Sequence, residues 1–136
     1  MEIIVDSNLV IAAERGDFDI EAWLSRHGND RIAVAAITVA ELWHGIARAS
    51  ANYERARQHY IEQFVSSVAV LPYTQQTAYE HARVWARLQS RGKMIGLYDV
   101  IIAATALERG YAVATFNHRH FSQVEGLTVL DPSRPR

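Results

Sequence analysis

Cysteine is absent from this 136-residue chain, which excludes thiolate zinc sites, thiol nucleophiles and a disulfide framework. Any metal must therefore be held by oxygen or imidazole. A long apolar run is also missing: the longest, "VIIAATAL", is far too short to span a bilayer. An N-terminus carrying Glu2 and Asp6 has no signal-peptide pattern, so the expectation is a cytoplasmic protein with no membrane partner. Nor is there an excess of one charge. Fourteen Lys and Arg face fifteen Asp and Glu, a formal net charge of -1, so no whole-molecule field draws the chain to nucleic acid, and such binding needs a local basic patch or a metal. With only three prolines and seven glycines there is no linker-like stretch, and no internal repeat. At 49% hydrophobic, the chain reads as one domain over residues 1–131, with residues 132–136 as a loose tail.

Short β-branched runs stand at residues 3–5, 32–37, 68–71, 112–115 and 127–130, and longer helical patterns separate them. From Val39 to Arg48, the residues Val39, Leu42, Trp43 and Ile46 follow helical core spacing and leave Glu41, His44 and Arg48 on the other face. From Ala78 to Arg91, the expected core stripe is Ala82, Val84, Trp85 and Leu88, with Arg83, Arg87 and Arg91 opposite it. From Asp99 to Arg109 the helix is apolar on nearly all sides and stops at Gly110, a residue suited to a left-handed cap. Strands alternating with helices, without hairpin turns, predict an α/β fold: a three-layer α/β/α sandwich around a parallel sheet of about five strands. Ligands then bind beyond the carboxyl ends of the strands.

Three carboxylates sit at that edge. Asp6 follows the first strand, Glu41 the second, and Asp99 begins the buried helix before the fourth. Each has a local explanation. Asp6 or Ser7 suits an N-cap, Thr38 and Glu41 spell the capping box T-x-x-E, and Asp99 suits the positive end of a helix dipole. Convergence is another matter, because two carboxylates about 6 Å apart repel by roughly 3 kcal/mol at an effective dielectric of ~20. A converged trio implies raised pKa values or a bound cation, and hard oxygen donors favour Mg²⁺ or Mn²⁺ over zinc.

Other groups are ambiguous. Arg83, Arg87 and Arg91, continued by Lys93, suit either an RNA backbone or an ordinary solvated helix face on which Glu80 also lies. His118 and His120 flank Arg119 beside Asn117 and are either substrate contacts or loop residues. Trp43 and Trp85 are expected to pack in the core. The cluster Tyr60, Ile61, Phe64 and Val65 is more apolar than a sheet edge needs and suggests an interface.

The set "VDSNLV", "ITVAELWHG", "GKMIGLYDVIIAATAL" and "ATFNHRHF" resembles the PIN-domain ribonucleases, most closely the VapC-type toxins of bacterial toxin-antitoxin pairs, from about Met1 to Asp131. The resemblance implies that Asp6, Glu41 and Asp99 hold the metal, that Ser7 occupies the usual Thr position, and that Asn117 stands where a fourth Asp or Asn is found. It further implies hydrolysis of RNA to a 5′-phosphate and a 3′-hydroxyl, a homodimer, and an antitoxin partner. Arg87, Arg91, His118, His120 and Ser7 are the candidate substrate contacts. Tyr98 and Phe116 depart from the family pattern, in which smaller polar, or polar and basic, residues are common. Two other readings compete. A phosphohydrolase of the haloacid-dehalogenase kind needs D-x-D, but Asn8 stands two residues after Asp6; a non-catalytic PIN-like binding module is suggested by the missing fourth acid.

Overall fold

The computed structural model describes residues 1–47 and 51–134. Five strands, β1 (Glu2–Val5), β2 (Arg31–Ala35), β3 (Ala69–Leu71), β4 (Ala112–Ala114) and β5 (Val129–Leu130), form one sheet in the order β3-β2-β1-β4-β5. Every pairing is parallel, and β1 lies between Ile32 of β2 and Ala112 of β4 at the level of Ile3. Seven helices are described: α1 (Ser7–Glu14), α2 (Ile20–Arg26), α3 (Ala36–Ala47), α4 (Ala51–Ser67), α5 (Gln75–Ser90), α6 (Leu97–Arg109) and α7 (His118–Phe121).

Alternation along the strands divides the core in two. Ile4, Ala33, Ala35 and Val113 face α5, α6 and Phe121 of α7, whereas Ile3, Val5, Val34 and Ala114 face α1 to α4. The three expected layers result. Alanines on both sides of the first interface, Ala33 and Ala35 on the sheet and Ala103 and Ala106 on α6, let that helix approach closely, so residues 102–106 are all buried. Gly110 ends α6 at φ 75°, a left-handed backbone in which a Cβ is strained.

The strand after Ile32 stops at Ala35, so Ala36 and Ile37 are helical and α3 begins three residues before Val39. That shift dissolves the expected capping box. Thr38 is inside the helix, and Glu41 is in its second turn rather than near its cap. The reciprocal capping pair is instead Thr74 with Thr77 at the start of α5. Helix α2 carries no long apolar period and is announced only by Asp19, which accepts from the Ala22 N–H at 3.0 Å. The tryptophans reverse expectation: Trp43 and Trp85 are exposed, as is Ala82, while Trp23 of α2 is 3% exposed. On α5 the buried stripe narrows to Thr77, Val84 and Leu88, which pack chiefly against α6. Ile61 and Phe64 of α4 are buried in their own chain's core, with Tyr60 and Val65 packed against it. Arg48 lies outside the described residues, as do Pro135 and Arg136 of the expected tail; Pro132 is buried. Among the described residues no helix is long and apolar enough to cross a membrane.

Trp23→Ala is expected to lower stability by about 3–5 kcal/mol in urea unfolding, and Trp85→Ala by less than about 0.5 kcal/mol. Equal losses would contradict this placement of the two rings.

Candidate functional site

The sheet order reverses between β1 and β4, and the chain leaves β1 toward one face through α1 and β4 toward the other through α7. A crevice opens there at the carboxyl ends of the strands. Asp6 ends β1 on its floor. Its backbone N–H donates to the Ala114 carbonyl, continuing the sheet by one bond, and its side chain is 4% exposed. One carboxylate oxygen accepts from the Ser7 N–H at 2.8 Å and the other from the Thr115 hydroxyl at 2.7 Å. Asp6 is thus both an N-cap and a site residue; the two readings coincide.

Thr115 is the hub beneath it. Its hydroxyl donates to Asp6 and accepts from the Asn8 side-chain amide at 3.2 Å and from the Asn117 N–H at 2.9 Å, which uses its one donor and both lone pairs. Asn8 also accepts, through Oδ1, from the Phe116 N–H at 3.3 Å. Neither residue stood out by motif. The available signal was the polar step at each strand end, S-N after Asp6 and T-F-N after Ala114.

Asp99 is the third residue of α6, a helix whose N-cap is Gly96 with no side-chain bond. Its Oδ2 accepts from the Asn117 amide at 3.3 Å and lies 3.4 Å from His120 Nδ1. The same His120 nitrogen is 2.8 Å from the Asn117 amide nitrogen. One ring nitrogen does not accept from Asn117 and donate to Asp99 at once. The consistent assignment has the two Asn117 amide hydrogens on Asp99 and on a neutral His120 Nδ1. Asn117 therefore braces Asp99. Glu41 reaches the site from the second turn of α3, half-buried, and its Oε1 is buried without a hydrogen-bond partner. Ser7, Glu41 and Tyr98 line one side of a cavity of about 560 Å³ that extends past His44 to the Arg57–Glu14 ion pair.

The predicted contacts separate. His120 joins Asp99 and Asn117, whereas His118 lines a different cavity of about 240 Å³ with Trp23, His27, Asp131 and Arg134. Arg91 donates to the Gln123 carbonyl at 3.2 Å and lies 3.9 Å from Glu125; with Arg87 it borders a cleft beside Val124, apart from the acid-lined cavity. Arg83 pairs with Glu80 at 2.6 Å.

The three acids lie near enough for Asp6 and Glu41 to feel the charge of Asp99. Burial, reinforced by the charge of Asp99 and opposed by the Thr115 and Ser7 bonds, pushes Asp6 up to about 6. Burial, then the charges of Asp6 and Asp99, push Glu41 up to about 7 against the Ser7 hydroxyl. Among the described residues, no three His, Asp or Glu side chains stand ready as a closed metal cage. The open arrangement suits an ion such as Mg²⁺, which keeps several waters and takes one or two carboxylates directly. All-oxygen donors and the partnerless Glu41 Oε1 fit such a hydrated cation, which satisfies the orphan atom and lifts the repulsion.

A parallel sheet in this order with acids from β1, α3 and α6 at its switch point defines a PIN-type domain, and the PIN domain family matches residues 3–127. The chain belongs to this family, and within it is similar to the VapC proteins: it is 33% identical over 134 residues to ribonuclease VapC1 of Rickettsia felis, covering 98% of each chain. The fold matches DNA-bound VapBC of Salmonella typhimurium with a TM-score of 0.88 and 28% identity over 97% of this chain and 98% of that one. VapBC-5 of Mycobacterium tuberculosis, from a family of toxin-antitoxin systems, matches with a TM-score of 0.77 and 25% identity, covering 95% and 97%. The haloacid-dehalogenase reading falls with this result, and Asn8 in the D-x-D position is engaged in bracing Thr115 and Phe116.

The raised acids carry a sign. Between the unfolded values, 3.8 for Asp6 and 4.5 for Glu41, and the folded values of about 6 and about 7, the folded chain holds protons that the unfolded chain has released. Without metal, stability is expected to fall as pH rises from about 4 to about 7, by on the order of 2–3 kcal/mol from Asp6 alone. Melting temperatures in EDTA should be higher at pH 5 than at pH 7.5, with a smaller difference for Asp6→Asn. A flat or rising profile for the wild type would refute the convergence.

Proposed function

We propose that the chain is a metal-dependent endoribonuclease and the toxin of a toxin-antitoxin pair, with Mg²⁺ or Mn²⁺ held by Asp6, Asp99 and Glu41. The observation that supports this most is the mutual electrostatic strain of Asp6 and Glu41 with Asp99 at the sheet's switch point. Strain of that kind is common where a cation works. When bound, a divalent ion activates water and neutralises charge on the phosphate and the leaving oxygen.

The chain's own residues do the positioning. Thr115 and the Ser7 N–H hold both Asp6 oxygens, so the carboxylate keeps one orientation as charge develops. Asn117 holds Asp99, and its missing negative charge leaves three acids rather than four to be neutralised. Glu41, with one free oxygen, orients the attacking water, and the leaving 3′-oxygen takes a proton from solvent. Products are a 5′-phosphate and a 3′-hydroxyl. The toxin-antitoxin complexes that share this fold support a cognate antitoxin as partner, the family likeness supports a homodimer, and we read the protein as acting in the cytoplasm. Tyr53 of α4 remains exposed for such contacts.

Asp99→Asn should reduce RNA cleavage by about 100-fold or more and abolish growth arrest on induced expression. Thr115→Val, which leaves every acid in place, should lower metal affinity or activity by about 10- to 100-fold. Comparing RNA 5′ ends and growth for wild type and both variants tests this. Growth arrest by Asp99→Asn with unchanged RNA ends would point instead to a binding module.

A further inference from the structure

Two large aromatic rings beside the acids stay substantially exposed. Tyr98 directly precedes Asp99, is 48% exposed, and shares the cavity wall with Glu41 and Ser7. Phe116 lies between Thr115, which is bonded to Asp6, and Asn117, which is bonded to Asp99. It is 37% exposed, yet its placement is rigid: its N–H donates to Asn8, and its ring stands edge-on to Phe18 at a centroid distance of 5.1 Å and an interplanar angle of 89°. A perpendicular neighbour steadies the ring, and more than a third of the residue stays open to solvent. Each ring is therefore within one residue of a group that holds or is one of the acids.

The charge distribution says what such rings are for. An acidic crevice on a chain of net charge -1 does not attract a polyanion. The arginine strip on α5 compensates little, since Arg83 is paired with Glu80 and Arg91 with Gln123 and Glu125. Apart from a bound cation, a polynucleotide held here gains from a grip that does not depend on phosphate charge, and base stacking is such a grip. Bases in a duplex have no free faces to offer, whereas unpaired ones do.

Resting on the nuclease reading, we infer that Tyr98 and Phe116 are stacking platforms for nucleobases on either side of the scissile phosphate, so that the enzyme selects RNA in which those bases are unpaired. Both rings are specificity determinants. Tyr98 receives its base from the Glu41 side of the crevice, and Phe116 receives one from the side of Asn117.

The test is fluorescence anisotropy of the whole protein in EDTA, using a short labelled single-stranded RNA, the same RNA annealed to its complement, and one with abasic nucleotides at its centre. The wild type should prefer the single strand to both others and show a shallow salt dependence. Tyr98→Ala and Phe116→Ala should each weaken single-strand binding by about 5- to 150-fold. Tyr98→Phe and Phe116→Tyr should retain it, and Phe116→Leu, which keeps apolar packing on Phe18 but no π face, should not. Loss of affinity on alanine substitution should vanish with the abasic RNA. Unchanged binding by the alanine variants, equal binding of duplex, full retention by Phe116→Leu, or no single-strand binding by the wild type would each overturn the inference. Cleavage by the wild type in Mg²⁺ separates the two readings. With cleavage present, any of those results removes the stacking role alone; with cleavage absent and no binding, both fall; with cleavage absent and the expected binding pattern, the platforms stand and the nuclease does not.

Discussion

The hydrogen bond from the Thr115 hydroxyl to Asp6 joins the ends of β1 and β4, the two strands between which the sheet changes direction. Everything at the site hangs from it. Because the chain leaves these strands toward opposite faces, the residues at their ends are not covered by their own helices, and a polar group there is buried sideways rather than from above. Asp6 is 4% exposed, while its neighbour Ser7 lines the cavity that Glu41 and Tyr98 share. Saturating the Thr115 hydroxyl with Asn8 and Asn117 ties the loop after β4 to the same point, and through Asn117 the bracing reaches Asp99 on α6.

This arrangement opposes the fold around it. Asp6 accepts two hydrogen bonds that favour its charge, yet burial and the neighbouring Asp99 outweigh them. Glu41 has less help, only the Ser7 hydroxyl against burial and two like charges. Such a site is stable because α6 is anchored elsewhere, by five consecutive buried residues against an alanine-lined sheet. Stability lost at one end of the helix is offset by packing along its length, a local conflict of the kind expected where function overrides folding.

The surface has a second imbalance. Tyr98, Phe116, Trp43 and Trp85 are exposed, while most of the strip of arginines on α5 is engaged with nearby acceptors. On the proposed function, a charge-balanced chain of this kind draws affinity for a polyanion from a bound cation and from groups other than a basic face. Phe116 beside the acids is held by contacts unrelated to any ligand, the perpendicular Phe18 ring and the bond from its N–H to Asn8. Rigidity of that sort lowers the entropy lost on binding.

By itself the sequence determined the layer order, the parallel sheet and the buried α6 with its Gly110 stop, because each is written in local patterns: β-branched runs and helical spacing. It did not determine α2, where a seven-residue helix is too short to show a period, nor the start of α3, where A-A-I suits strand and helix alike until Ala35 meets the edge of the sheet. Periodicity marks the apolar side of a helix but not how wide a neighbour covers it, so Trp85 fits the stripe of α5 and still lies beyond the reach of α6. Asn8 and Thr115 are more than a hundred positions apart and meet only through the pairing of β1 with β4. His118 and His120 are indistinguishable as letters. One turn of α7 sends one toward Asp131 and the other to Asp99, a difference of direction that only the packed chain decides.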